Sequence, residues 1–140
     1  MYLKKIKSIV FIILITWSSL TIARQSVVDS NYTPQRINKC IELFKAGQPV
    51  YYKYTQTTGG YEEGMKMAQT WADYIVYDME HRPLDFARLR DFMRGLVDGG
   101  PAPSGHRTPA VIVVVPVLGT DTLSFMGSSW IVQQALATGV

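Results

Sequence analysis

The chain reads as an α/β protein built on a parallel sheet, and three observations lead there. Strand-like and helix-like segments alternate three times. The links between successive strands contain helices of the length that a crossover between parallel neighbours requires. The last strand, "AVIVVVP", is apolar at nearly every position, the pattern of a strand covered on both faces. Two architectures fit: a small open sheet of three parallel strands, or the opening portion of an eight-stranded barrel. A full barrel takes about 250 residues, so on the second reading these 140 residues are an amino-terminal fragment.

The first element stands outside that alternation. Lys4, Lys5 and Lys7 precede the apolar run "SIVFIILITWSSL", and Thr21 and Ala23 offer small residues for a cut after Ala23. Residues 1–23 are therefore expected to be a secretory signal peptide, with the remainder exported to a periplasm or the outside of the cell. Removing them lowers Lys+Arg from 14 to 11 against 11 Asp+Glu, so the remaining chain is formally neutral. Its basic residues are scattered among acids, which argues against nucleic acid or an anionic membrane surface as partner. The single cysteine, Cys40, excludes an internal disulfide and a paired-cysteine metal knuckle, and reads as a small core residue.

Residues 24–47 form a polar spacer and a first helix. Thr33 and Pro34 suggest its cap and first turn. Ile37, Cys40, Ile41 and Phe44 make its apolar stripe, and Gly47 closes it. A tyrosine-rich strand, "PVYYKYTQ", follows and breaks at "TTGG". A helix over 61–72 then places Met65, Ala68, Trp71 and Ala72 on one face, with Glu62 and Glu63 near its positive end. The second strand is "DYIVYDM". Pro83 opens the next helix, whose apolar side is Phe86, Leu89, Phe92, Met93, Leu96 and Val97, and Gly99 and Gly100 end it. After the long loop "GGPAPSGHRTP" and the third strand, Asp121 or Thr122 caps a last helix with the stripe Leu123, Met126, Trp130 and Ala137, closed by Gly139.

Chemistry concentrates in "DYIVYDMEHRP", where an apolar strand ends in Asp78, Glu80 and His81. Ligands of parallel sheets bind at the carboxyl ends of the strands. In extended geometry His81 would face away from Asp78, so the two meet only if the chain turns near Met79. An imidazole held by a carboxylate makes a general base near neutral pH, because the acid fixes the tautomer and stabilises the cation. In the plain alternative Asp78 accepts turn amides, His81 packs and Glu80 is solvated. His106 beside Arg107 reads as a solvated loop pair or a lid contact. "TTGG" before a helix could hold an anion on backbone amides, though it lacks a phosphate-loop lysine. Met65, Met67 and Trp71 read as helix packing. No nucleophile elbow, HExxH or paired-cysteine motif is present.

"WADYIVYDMEHRPLDFARLRDFMRGL", with "TPAVIVVVP" and "ALATGV", resembles the HpcH/HpaI aldolase family, the 2-oxo-acid aldolases such as 4-hydroxy-2-oxoheptanedioate aldolase. The likeness spans about residues 48–140, and the D-x-E-H string is its most specific part. It implies the amino-terminal portion of a TIM (β/α)8 barrel over 48–140, cut after about three βα units. It also implies a lyase that cleaves a carbon–carbon bond beside a pyruvate enolate, acting on a 2-oxo acid and an aldehyde, as a homo-oligomer when full length. His81 would be the acid/base and Asp78 its orienting partner, with Glu80 in support. A divalent ion, Mg2+ or Mn2+, would polarise the oxo acid, on ligands beyond Val140. The family's substrate-gripping arginine just before the third-strand proline is replaced here by Val115, ahead of Pro116. The alternative function is an exported, non-catalytic binding or interaction module derived from such a half barrel.

Overall fold

The computed structural model describes residues 33–56, 59–116 and 120–140; the expected signal peptide lies outside them. Strands β1 (Tyr52–Tyr54), β2 (Tyr74–Asp78) and β3 (Ala110–Val114) form one parallel sheet in the order β1-β2-β3. Tyr52 aligns with Tyr74, Tyr74 with Ala110 and Asp78 with Val114. Helices α1 (Lys39–Lys45), α2 (Tyr61–Met67), α3 (Phe86–Asp98) and α4 (Thr122–Leu136) complete the order α1-β1-α2-β2-α3-β3-α4. This is a small α/β fold with a three-stranded parallel sheet flanked by helices, and the sheet is not a closed barrel. Tyr32–Val140 cluster as one unit, α1 included.

Period-two alternation assigns the two faces of the sheet. Ile75, Tyr77 and Met79 from β2 and its extension join Leu89, Phe92 and Leu96 of α3 and Met67 and Ala68 of the α2 end in one buried cluster, with Val111, Val113 and Val115 packed against it. Tyr77 and Phe92 touch ring to ring at 5.1 Å. The opposite face carries Tyr52, Tyr54, Tyr74, Val76, Asp78, Ile112 and Val114. Tyr52 stacks on Tyr74 at 5.4 Å and meets Tyr54 edge-on at 5.5 Å. Tyr52, Tyr54 and Ile112 stay about half exposed. The apolar run of β3 thus packs on its helix side and leaves Ile112 open, where its composition predicts cover on both faces.

Two glycines set the helix layer. A Cβ on Gly64 of α2 would lie 2.2 Å from the Phe92 carbonyl oxygen, and one on Gly95 of α3 would lie 2.1 Å from that of Tyr61. The two helices therefore cross backbone against backbone, which only residues without a side chain allow.

Several element ends differ from the sequence expectation, each for a local reason. The first helix starts at Lys39, capped by the Asn38 side chain on the Ile41 amide, because Glu42 takes the amides of Gln35 and Arg36 and holds the chain before it in a turn. Its stripe is exposed at Ile37 and Phe44, and only Cys40 turns inward, its thiol donating to the Asp73 carbonyl at 3.4 Å. Gly47 closes the helix at φ 66°. Helix α2 stops at Met67, so Trp71 falls beyond it and is exposed rather than packed. Asp85, not Pro83, starts α3 by accepting from the Arg88 amide. Asp121 caps α4, but its expected stripe is reversed: Leu123, Met126 and Trp130 are exposed while Ile131 and Ala135 are buried. No helix among the described residues is long and apolar enough to cross a membrane.

Candidate functional site

The carboxyl end of β2 gathers Asp78, Glu80 and His81. Strand pairing runs one residue past β2, the Met79 amide donating to the Val114 carbonyl at 2.8 Å. The chain then bends through 79–82. Asp78 drives that bend: its Oδ1 accepts from the amides of Glu80 at 2.9 Å and His81 at 3.1 Å. Its Oδ2 stands 3.0 Å from His81 Nδ1, and a Glu80 oxygen lies 3.8 Å from the same nitrogen. The turn therefore brings together two groups that an extended strand would separate. Asp78 does both things considered from sequence, accepting turn amides and holding the imidazole. His81 does not pack; its side chain is 74% exposed against 13% for Asp78.

Burial raises the Asp78 pKa, but the amides of His81 and Glu80 and the imidazole outweigh it, so the carboxyl titrates below its usual value. An ionised carboxylate only accepts, which assigns the ring proton to Nδ1 and leaves the Nε2 lone pair outward as a base. Oriented carboxylate, oriented imidazole and an accessible lone pair are the parts of a proton-transfer site.

Described residues of the neighbouring β1–α2 connection are held by side chains from the elements around it. Glu63 accepts from the amides of Gln56 and, at 3.0 Å, of Gly59. Arg82 donates to the Thr55 carbonyl and Arg88 to that of Gly59, both at 3.3 Å. Gly59, at φ 82°, rests on the Tyr77 hydroxyl, which a Cβ there would meet at 2.2 Å. Burial, then the Asp85 charge, pushes the Tyr77 phenol up to about 12. The anion-holding reading of "TTGG" is corrected at Gly59, whose amide already binds an anion, the carboxylate of Glu63, as does that of Gln56 just before the motif; Thr57 and Thr58 lie outside the described residues. A Glu three residues after the helix-capping Gly60 was the available signal, since that position reaches back to amides before the helix.

Val115 packs against the core on the helix side, away from Asp78. The β3 residue in register with Asp78, and on its face, is Val114. The position where the resemblance seats an arginine thus points into the apolar layer. Among the described residues no three His, Cys, Asp or Glu side chains come together to hold a metal ion. The resemblance places the ligands of its divalent ion beyond Val140, and Asp78 and His81 are not among them.

His106 corrects the loop reading. It is 3% exposed, with Nδ1 3.0 Å from Ser104 Oγ and Nε2 3.3 Å from a Glu42 oxygen, while Arg107 beside it is exposed. The surrounding loop is tied down: Gln69 donates to the carbonyls of Gly99 and Pro101 at 3.0 and 2.9 Å. Cys40 sits half-buried, and burial, then the Asp73 charge, raises its thiol pKa.

No family model, no curated protein and no solved structure matches this chain.

Proposed function

We propose that the chain carries the acid/base site of a carbon–carbon lyase acting on a 2-oxo acid, set on the first βα units of a TIM (β/α)8 barrel. The observation that carries the reading is the 3.0 Å approach of Asp78 and His81 at the carboxyl edge of β2, on the open face of the sheet. Strand order β1-β2-β3 agrees with the start of such a barrel, and the edge is where parallel sheets hold ligands. The resemblance of residues 48–140 to the 2-oxo-acid aldolases supplies the reaction class.

In the proposed reaction His81 Nε2 takes the hydroxyl proton of a 4-hydroxy-2-oxo acid. The bond between the hydroxyl-bearing carbon and its neighbour breaks, giving an aldehyde and an enolate, and protonation of the enolate carbon yields pyruvate. Asp78 stabilises the imidazolium formed in between. No step is assigned to a divalent ion, whose ligands the resemblance puts beyond Val140.

The test is pyruvate release from 4-hydroxy-2-oxoheptanedioate by the 140-residue chain, with Mg2+ or Mn2+ supplied. His81→Ala is expected to lower the rate about 100-fold or more. A wild-type rate equal to that of the variant would sink the reading. A second reading, an exported interaction module without catalysis, draws on the half-exposed Tyr52, Tyr54 and Ile112 and on the exposed apolar residues of α4. Absent turnover together with concentration-dependent self-association in sedimentation would favour it.

A further inference from the structure

The amino-terminal end of the sheet holds a second imidazole in a more enclosed setting. The loop before β3 folds on itself, the Ala102 amide donating to the His106 carbonyl and the Gly105 amide to that of Ala102, each at 2.8 Å. Gly105 at φ 77° lets the chain double back between Ser104 and His106. The His106 ring, its side chain 2% exposed, then lies between Ser104 Oγ at 3.0 Å and Glu42 Oε1 at 3.3 Å.

Three side chains from two separate parts of the sequence thus form a line of hydroxyl, imidazole and carboxylate. Glu42 is itself fixed, its Oε1 accepting from the amides of Gln35 at 2.6 Å and Arg36 at 2.8 Å. Burial raises its pKa, but those amides and His106 overcome that and hold the carboxyl below its usual value. With Glu42 ionised, the 3.3 Å charge contact, though not a well-directed hydrogen bond, favours the proton on Nε2 and leaves the Nδ1 lone pair facing the serine hydroxyl. Such arrangements are recognised by geometry and roles, not by order in sequence: a nucleophile within hydrogen-bond reach of a base that a third group orients. Ser104 is partly exposed and lines a cavity of about 30 Å³ that it shares with Thr70, Asp73 and Lys39. That is room for little beyond a water-sized group, and it restricts an incoming acyl chain to the shortest.

We propose that Ser104 is a nucleophile, activated by His106 and Glu42, that takes an acetyl-sized acyl group from an activated ester. Oγ attacks the carbonyl carbon while its proton passes to His106 Nδ1. The ester C–O bond breaks and the alcohol leaves with that proton. Water, deprotonated by His106, then attacks the acyl-serine, releasing the carboxylic acid and restoring the hydroxyl. Lys39, whose Nζ is bound to Asp73 at 2.6 Å, lines the same cavity and offers a cation for the developing oxyanion. The site stands apart from Asp78 and His81, and the proposal does not rest on their function.

The test is p-nitrophenyl acetate with the full chain, followed by peptide mass spectrometry. A p-nitrophenolate burst with acetyl on Ser104 is expected, lost in Ser104→Ala and slowed about 100-fold in His106→Gln. Glu42→Gln keeps the hydroxyl and the imidazole and is expected to slow the burst with the fold retained by circular dichroism. Folded wild-type chain without acetyl on Ser104, or a burst of the same size in Ser104→Ala, overturns the proposal.

Discussion

Gly64→Ala tests the packing on which the whole helix layer depends. The added methyl would stand 2.2 Å from the Phe92 carbonyl oxygen and 3.0 Å from the Gly95 Cα and the Leu96 amide nitrogen. All three are backbone atoms, so no side chain can swing aside, and ordinary contact near 3.5 Å requires α2 and α3 to part by about 1 Å. Overpacking of this kind costs about 1–3 kcal/mol. The better helix propensity of alanine offsets about 1 kcal/mol of that. A control comes from the same chain: Gly127 in α4 has nothing within 4 Å of its Cβ position, so Gly127→Ala collects the propensity gain alone. Urea unfolding followed by far-ultraviolet circular dichroism should place Gly64→Ala below wild type and Gly127→Ala above it. With an urea slope of about 1–3 kcal/mol/M, the two midpoints should differ by about 1 M. A Gly64→Ala chain as stable as Gly127→Ala would refute the close crossing.

Two pH dependences follow from named groups. Asp78, Glu42 and Asp121 all titrate below their ordinary values in the fold, so the unfolded chain binds protons first and their stabilisation, complete near neutral pH, is lost as pH falls below about 4; urea midpoints measured from pH 7 to 3 should be flat and then drop. Tyr77 shifts the other way, its phenol at about 12 instead of 10, so the folded state keeps its proton longer and stability should decline as pH rises from 10 to 12. A Tyr77→Phe chain should lose that alkaline slope, read by thermal melts across the same range.

How legible the molecule was in its sequence varies with the range of the interaction. Strand positions came through because tyrosine and valine runs bounded by turn formers carry their own local signal, and the Asp78–His81 meeting came through because a proline two residues on from His81 marks a turn. Helix starts moved by a few residues where a side chain rather than a proline did the capping, as at Asn38 and Asp85. The stripes of α1 and α4 misled because apolar periodicity says which side could be buried, not whether a neighbour is there to bury it; Phe44 and Leu123 face outward. The Gly64–Gly95 crossing and the Ser104–His106–Glu42 line both depend on segments far apart in sequence, one of them separated by more than fifty residues. No local pattern announces a meeting of that kind.

The register of β3 has a practical corollary for anyone wishing to install a cationic grip for a carboxylate substrate. Neighbouring positions on a strand are not interchangeable: an arginine at 115 would be driven into the oily layer beneath the sheet, while the same residue at 114 would emerge beside the Asp78 carboxylate. A shift of a single codon separates a destabilised protein from a retuned one.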